Sequence, residues 1–113
     1  EIGNLTNLKH LILSDNQLTG EILNEIGSLT DLTAIAFHNN QFSGQFPPWI
    51  GNLINLEEFY FANNYLTGQI PVEICNASII IPSLCFTNNK LCPPYPECIE
   101  DYVVEQDTTN CGD

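Results

Sequence analysis

Leu53-Ile54-Asn55-Leu56-Glu57-Glu58-Phe59-Tyr60-Phe61-Ala62-Asn63-Asn64-Tyr65-Leu66-Thr67-Gly68-Gln69-Ile70-Pro71 decides the fold, because its outline occurs three times in the chain. Moved back by 24 residues it falls on Leu29 to Pro47, and moved back again it falls on Leu5 to Leu23. The apolar positions coincide as Leu5/Leu29/Leu53, Leu8/Leu32/Leu56, Leu11/Ile35/Phe59 and Leu13/Phe37/Phe61. Asn16/Asn40/Asn64, Leu18/Phe42/Leu66, Gly20/Gly44/Gly68 and Ile22/Phe46/Ile70 follow in step. A fixed period of this length is the signature of stacked coils. Each coil buries its apolar face only against its neighbours, so function falls to an extended surface rather than a cleft.

Within a unit, the paired apolar residues (Leu11 and Leu13, Ile35 and Phe37, Phe59 and Phe61) alternate with period two. That is the pattern of a short strand with one buried face. Stacking the units sets these strands side by side as a parallel sheet. Asn16, Asn40 and Asn64 stand where the strand ends and the chain turns inward. A side-chain amide there donates and accepts toward backbone groups that the turn would otherwise bury unpaired. Gly20, Gly44 and Gly68 suit tight backbone at a coil edge, and Pro47 and Pro71 stiffen the return path. The return segments, Pro48 to Ile50 and Val72 to Ile74, are too short for long helices, so a helical or 3₁₀ turn is expected.

The unit, L-x-x-L-x-x-L-x-L-x-x-N-x-L-x-G-x-I-P, resembles the plant-type leucine-rich repeat. The L-T-G-x-I-P phrase is complete in Leu66-Thr67-Gly68-Gln69-Ile70-Pro71; in Leu18-Thr19-Gly20-Glu21-Ile22 it lacks only the proline, replaced by Leu23. The resemblance covers residues 2 to about 92. It implies a right-handed leucine-rich repeat solenoid of the horseshoe type, β-dominated, with a parallel sheet on the concave face and short 3₁₀ or helical turns on the convex side. Similar repeats form receptor-kinase ectodomains and polygalacturonase-inhibiting proteins, so an extracellular, non-catalytic binding module is expected. The expected division is repeats over 1–92, as three 24-residue units plus one imperfect unit, and a cysteine-containing acidic C-terminal cap over 93–113.

The imperfect unit runs Ile81, Leu84, Phe86, Asn89, Leu91, shifted by 25 residues rather than 24, and Pro93 then replaces the glycine. Beyond it, Ile99, Tyr102 and Val103 are spaced to form one apolar face of a short closing helix. At the other end, Glu1-Ile2-Gly3-Asn4-Leu5 repeats the inter-unit phrase Trp49-Ile50-Gly51-Asn52-Leu53. A first coil normally carries a polar cap, so the chain reads as the C-terminal portion of a longer array.

All five cysteines follow residue 74, and Cys85, Cys92, Cys98 and Cys111 lie in the terminal region. This placement fits structural disulfides in an oxidising compartment. Cys92 with Cys98 is the expected pair, closing a short proline-stiffened loop, with Cys111 tied back to Cys85 or Cys75 and one thiol left over. The Cys-Pro-rich phrase resembles the cysteine-paired caps of plant-type repeats. A zinc site is disfavoured, because Cys92 and Cys98 lack C-x-x-C spacing and have no nearby histidine; no metal or cofactor is expected. Asn4 and Asn76 head N-x-S/T sequons and are candidate glycosylation sites.

Two lysines face fourteen acidic residues, for a net charge of −12. No basic patch can form, which argues strongly against nucleic acid and anionic membranes as partners. No apolar run approaches the ~20 residues that span a bilayer, so no membrane insertion is expected.

Strand residues that do not point inward face out of the concave sheet. In columns these are His10, Ala34, Glu58 and Ser83; Ile12, Ala36, Tyr60 and Cys85; Ser14, His38, Ala62 and Thr87; and Asp15, Asn39, Asn63 and Asn88. Tyr60 offers a large rigid contact area plus a hydroxyl. Glu57 and Glu58 point to opposite sides of one strand and cannot act as a glycosidase dyad. His10 and His38 sit four positions out of step on adjacent strands, roughly 13 Å apart, too far to share a proton or a metal. The expected function is recognition of a protein, peptide or glycan by this face. The alternative is a surface-active role such as ice binding through the regular Asp15/Asn39/Asn63/Asn88 and Ser14/Thr87 edge, which the varied His10, His38, Glu58 and Tyr60 disfavour.

Overall fold

The computed structural model describes residues 6–76 and 85–111. Asn4, Ile81, Ser83 and Leu84, and Ala77 and Ser78 of the second sequon, lie outside the described residues.

Each of the first three coils carries two short strands and one 3₁₀ turn. The first set, β1 (His10–Ile12), β3 (Ala34–Ala36) and β5 (Glu58–Tyr60), forms a parallel sheet in the order β1-β3-β5. Its register follows the 24-residue period, pairing His10 with Ala34 and Glu58, Leu11 with Ile35 and Phe59, and Ile12 with Ala36 and Tyr60. The second set, β2 (Thr19–Glu21), β4 (Gln41–Gln45), β6 (Tyr65–Gly68) and β7 (Lys90–Leu91), forms another parallel sheet in the order β2-β4-β6-β7. This second sheet is not foreshadowed by the repeat reading, which placed Gly20, Gly44 and Gly68 at a coil edge. The glycines lie inside or at the end of those strands with φ of 86°, 80° and 82°. A Cβ on Gly44 would come within 2.7 Å of the Glu21 side chain, and one on Gly68 within 2.9 Å of Gln45. The repeated glycine therefore lets a kinked strand pass close to the side chain of the coil before it.

The return paths close as 3₁₀ helices over Asn24–Ser28, Pro48–Asn52 and Val72–Asn76, as expected for segments this short. Gly27 and Gly51 are packed tightly here. A Cβ on Gly27 would sit 2.7 Å from Trp49 Cβ, and one on Gly51 would collide with Glu73. The next member of that 24-residue column is Cys75.

The core runs the length of the stack. Leu29, Leu32, Ile35, Leu53 and Leu66 are fully buried, and Phe37, Phe46, Phe59, Phe61 and Phe86 form an aromatic spine among them. Ring centroids lie 5.6 Å apart for Phe37–Phe61, 5.0 Å for Phe46–Phe61 and 5.3 Å for Phe59–Phe86, all tilted or edge-on. Such pairs add about 0.5–1.5 kcal/mol each beyond area burial.

The asparagine column spans the coils as a ladder. Asn64 Nδ2 donates to the carbonyls of Phe37 (2.9 Å) and Phe61 (3.1 Å), and its Oδ1 accepts the Phe42 amide at 2.9 Å. Asn40 bonds in the same way to Leu13, Phe37 and the Leu18 amide, and Asn89 to Phe61, Phe86 and the Leu66 amide. These three side chains are the buried polar residues among the described residues, and each is hydrogen-bonded.

The terminal cysteines pair as Cys75–Cys98 and Cys92–Cys111, with Cα separations of 5.9 and 5.6 Å. The expected Cys92–Cys98 bridge is therefore wrong, and the unpaired thiol is Cys85, which is buried. Stacking instead brings Cys98 over Cys75, the residue in the glycine column. Past β6 and β7 the chain turns through Glu100–Tyr102, a 3₁₀ turn rather than a regular helix. Ile99 and Val103 close the last coil at 0% and 7% exposure, whereas Tyr102 is 38% exposed and does not join them.

Candidate functional site

The concave sheet is a graded surface. Ala34 and Ala36 are nearly covered and make its floor, with Ala62 partly exposed beside them. His10, Ile12 and Glu58 stand out into solvent, and Ile12 is 59% exposed. Ser14, His38, Tyr60 and Thr87 are half-buried. The register places His10, Ala34 and Glu58 in one row across the strands, and Ile12, Ala36 and Tyr60 in the next. Cys85, expected to end that second row, is 2% exposed and offers no contact area.

Tyr60 is the organising residue. Its hydroxyl donates to Glu58 Oε1 at 3.3 Å, and the His38 ring meets its ring edge-on at 5.7 Å. Burial raises the Tyr60 pKa first, and the negative charge of Glu58 raises it further, so the phenol stays neutral at physiological pH. The three side chains form an aromatic and acidic cluster on the sheet. The buried Nδ1 of His38 and Oγ1 of Thr87 have no hydrogen-bond partner among the described residues.

Asp15, Asn39, Asn63 and Asn88 behave differently from the rest of the expected face. All four adopt left-handed backbone, with φ of 60°, 59°, 61° and 62°. Asx residues tolerate that region better than other non-glycine residues. Their side chains bond to one another from coil to coil: Asn39 Nδ2 to Asp15 Oδ1 and Asn63 Nδ2 to Asn39 Oδ1, both 2.6 Å, and Asn88 Nδ2 to Asn63 Oδ1 at 3.0 Å. This edge forms the rim of the sheet, and part of its hydrogen-bonding capacity is spent within the stack.

One residue of the design has no counterpart in the repeat reading. Gln106 Nε2 donates to the Phe86 carbonyl at 2.8 Å and the Val104 carbonyl at 2.9 Å, while its Oε1 accepts the Leu91 amide at 3.1 Å. These are the bonds of the buried asparagine ladder, one coil further on. Glu105, just before it, has φ of 57°, matching Asn88 before Asn89. The signal was hidden because Gln106 lies 17 residues past Asn89 and carries a longer side chain.

Surface hollows flank the sheet. The larger, about 610 Å³, lies at the strand entrance between Lys9, Asp31, Asn55 and Glu57. Another, about 510 Å³, lies between Pro71 and Val72 of the last full coil and Pro94, Tyr95 and Pro96. Among the described residues no helix is long and apolar enough to cross a membrane.

The Leucine Rich Repeat family profile matches residues 7–29, 31–53 and 55–77. A search of curated proteins gives no match. Among solved structures, the Arabidopsis receptor kinase HAESA, in complex with the peptide hormone IDA and the co-receptor SERK1, is 37% identical with a TM-score of 0.74. That match covers 92% of this chain and 17% of HAESA. The ectodomain of GASSHO1/SCHENGEN3 from Arabidopsis thaliana, in complex with CASPARIAN STRIP INTEGRITY FACTOR 2, is 36% identical over 80% of this chain and 11% of its own, with a TM-score of 0.73. The ectodomain of the receptor kinase SOBIR1 from Arabidopsis thaliana is 30% identical over 93% of this chain and 56% of its own, with a TM-score of 0.76. The chain thus spans between about a tenth and just over half of these structures. Two disulfides and this set of ectodomain neighbours mark an extracellular segment. With its repeats, its paired parallel sheets and its asparagine ladder, the chain belongs to the leucine-rich repeat family.

Proposed function

We propose that this segment is a non-catalytic extracellular recognition module that binds a polypeptide across its concave sheet. The observation that carries the reading is the Glu58–Tyr60–His38 cluster. It is a partly exposed aromatic and acidic group held by one hydrogen bond and one edge-on ring contact, at positions that do not repeat. Rigid aromatic side chains on a preorganised surface give contact area at little entropic cost. Two neighbours of similar fold were solved with a peptide hormone or a named integrity factor in place, which supports a polypeptide over a glycan. His10 and His38 stand four positions out of step on adjacent coils, which speaks against a shared proton or metal.

The regular Asp15/Asn39/Asn63/Asn88 edge favours ordered-surface binding. Part of its hydrogen-bonding capacity is spent within the stack, and Glu58, Tyr60 and Ile12 on the same face break the uniformity an ice-binding plane requires. A clear thermal-hysteresis signal would reverse this preference.

The test is selection from a displayed library of random twelve-residue peptides. Selected binders should lose at least tenfold in affinity against Tyr60→Ser and Glu58→Lys, and keep it against Glu25→Lys on the outer 3₁₀ turn. Loss confined to the outer-turn variant would sink the proposal.

A further inference from the structure

We infer that the C-terminal cap is a truncated fifth coil that lengthens the recognition face, and that the whole face takes a polypeptide segment bearing one basic and one apolar side chain. The inference rests on the polypeptide-binding reading above. Gln106 makes the ladder bonds of a coil asparagine, and Glu105 holds the left-handed backbone of the residue before it. Counting back from Gln106 therefore maps cap residues onto the columns of the sheet. Val103 falls in the column of Phe37, Phe61 and Phe86 and is buried like them, at 7% exposure. Val104 falls in the column of His38, Ala62 and Thr87, and its side chain is 39% exposed. Tyr102 stands at the offset of Tyr60, though it ends a 3₁₀ turn instead of a strand, and it is 38% exposed. An apolar pair thus sits at the C-terminal end of the same surface, where a closing cap needs only polar residues.

Charge specifies the other half of the ligand. The face and its rim carry Asp15, Glu58 and Glu105, and the chain's two lysines are both elsewhere. Lys9 precedes β1, and Lys90 lies in β7 with its ammonium 5.6 Å from the Tyr65 ring centroid. A Lys or Arg side chain arriving at Tyr60 would meet both an aromatic face and the Glu58 carboxylate. Neighbouring strands are about 4.8 Å apart, so the cap rung lies about 10 Å beyond the Tyr60 rung, or about three residues of extended chain.

The experiment uses fluorescein-labelled ten-residue peptides with one Lys and one Phe in a Ser/Gly background, separated by one to six residues. Counterparts carry Glu for Lys or Ser for Phe. Affinity is expected to peak near a separation of three and to fall at least tenfold on Lys→Glu. The Tyr102→Ser/Val104→Ser double variant should weaken the best peptide at least fivefold with an unchanged melting temperature. Val104→Thr, which keeps the shape, should show a smaller loss in the same direction. If the double variant binds within twofold of wild type while Tyr60→Ser abolishes binding, the cap extension is wrong and the face reading stands. If acidic peptides bind as well as basic ones, or no peptide binds, the assigned ligand chemistry is overturned. If Tyr60→Ser also changes nothing, the failure belongs to the face reading itself.

Discussion

Gln106 donates to the Phe86 carbonyl at 2.8 Å, the bond that Asn89 makes to Phe61 at 2.9 Å one coil earlier. A residue outside the periodic pattern thus ends the ladder with the hydrogen bonds that build it. Gln106→Leu should cost about 1 kcal/mol, because the Leu91 amide and Phe86 carbonyl each lose a partner at a partly buried site. Thermal melting reads this directly, and Gln106→Glu should recover only the accepted bond.

Inside the stack the cost is larger. Asn64→Leu leaves the buried Phe42 amide without its side-chain acceptor and takes one of two asparagine donors from each of the Phe37 and Phe61 carbonyls. Equilibrium denaturation should show a loss of about 1–3 kcal/mol. An unchanged midpoint would contradict the ladder's role.

The 3₁₀ turns give a steric prediction. Gly51→Ala places a methyl group against Glu73, and Gly27→Ala places one against Trp49. Overpacking of this kind costs about 1–3 kcal/mol. Gly20→Ala meets no atom within 4 Å, yet its φ of 86° still strains an alanine, so the penalty there should be backbone strain alone.

Cys85 should be silent until the protein unfolds. Burial pushes its thiol up to about 12, from an ordinary 9.0. The folded pKa exceeds the unfolded one, so this thiol's contribution to stability is whole below pH 9 and fades as pH rises toward 12. Iodoacetamide should label one thiol only after denaturation, and non-reducing digestion should recover the linked pairs Cys75–Cys98 and Cys92–Cys111. Fast native labelling of Cys85 would contradict its burial. The disulfides enclose sequence separations of 23 and 19 residues. Replacing Cys75 and Cys98 by serine should then cost about 3 kcal/mol.

What was legible in the sequence is what the period repeats. Leu, Ile and Phe columns imply the core, the inward asparagines imply the ladder, and short return segments imply 3₁₀ turns, because each reads from one residue type at one spacing. The second sheet was not legible, since Gly20, Gly44 and Gly68 signal a positive φ equally well in a turn or in a kinked strand. Disulfide pairing was not legible because spacing ranks partners along the chain, whereas stacking sets Cys98 over Cys75. Gly27 and Gly51 offered a late hint: Cys75 follows them in a column where the coils touch too closely for a side chain. The site residues could be placed in columns by alternation alone. Their clustering could not, because it depends on side-chain orientation: Tyr60 bonds Glu58 along its own strand and meets the His38 ring from the coil before.

The central claim is that recognition runs over the concave sheet from its first strand to the cap. Its most direct test is the backbone amide spectrum of ¹⁵N-labelled protein titrated with a library-selected peptide. The account predicts shifts concentrated at Ile12, His38, Glu58, Tyr60, Tyr102 and Val104, with Glu25 and Glu73 on the outer turns unmoved. Shifts clustered on those outer turns, with Tyr60 unmoved, would contradict it.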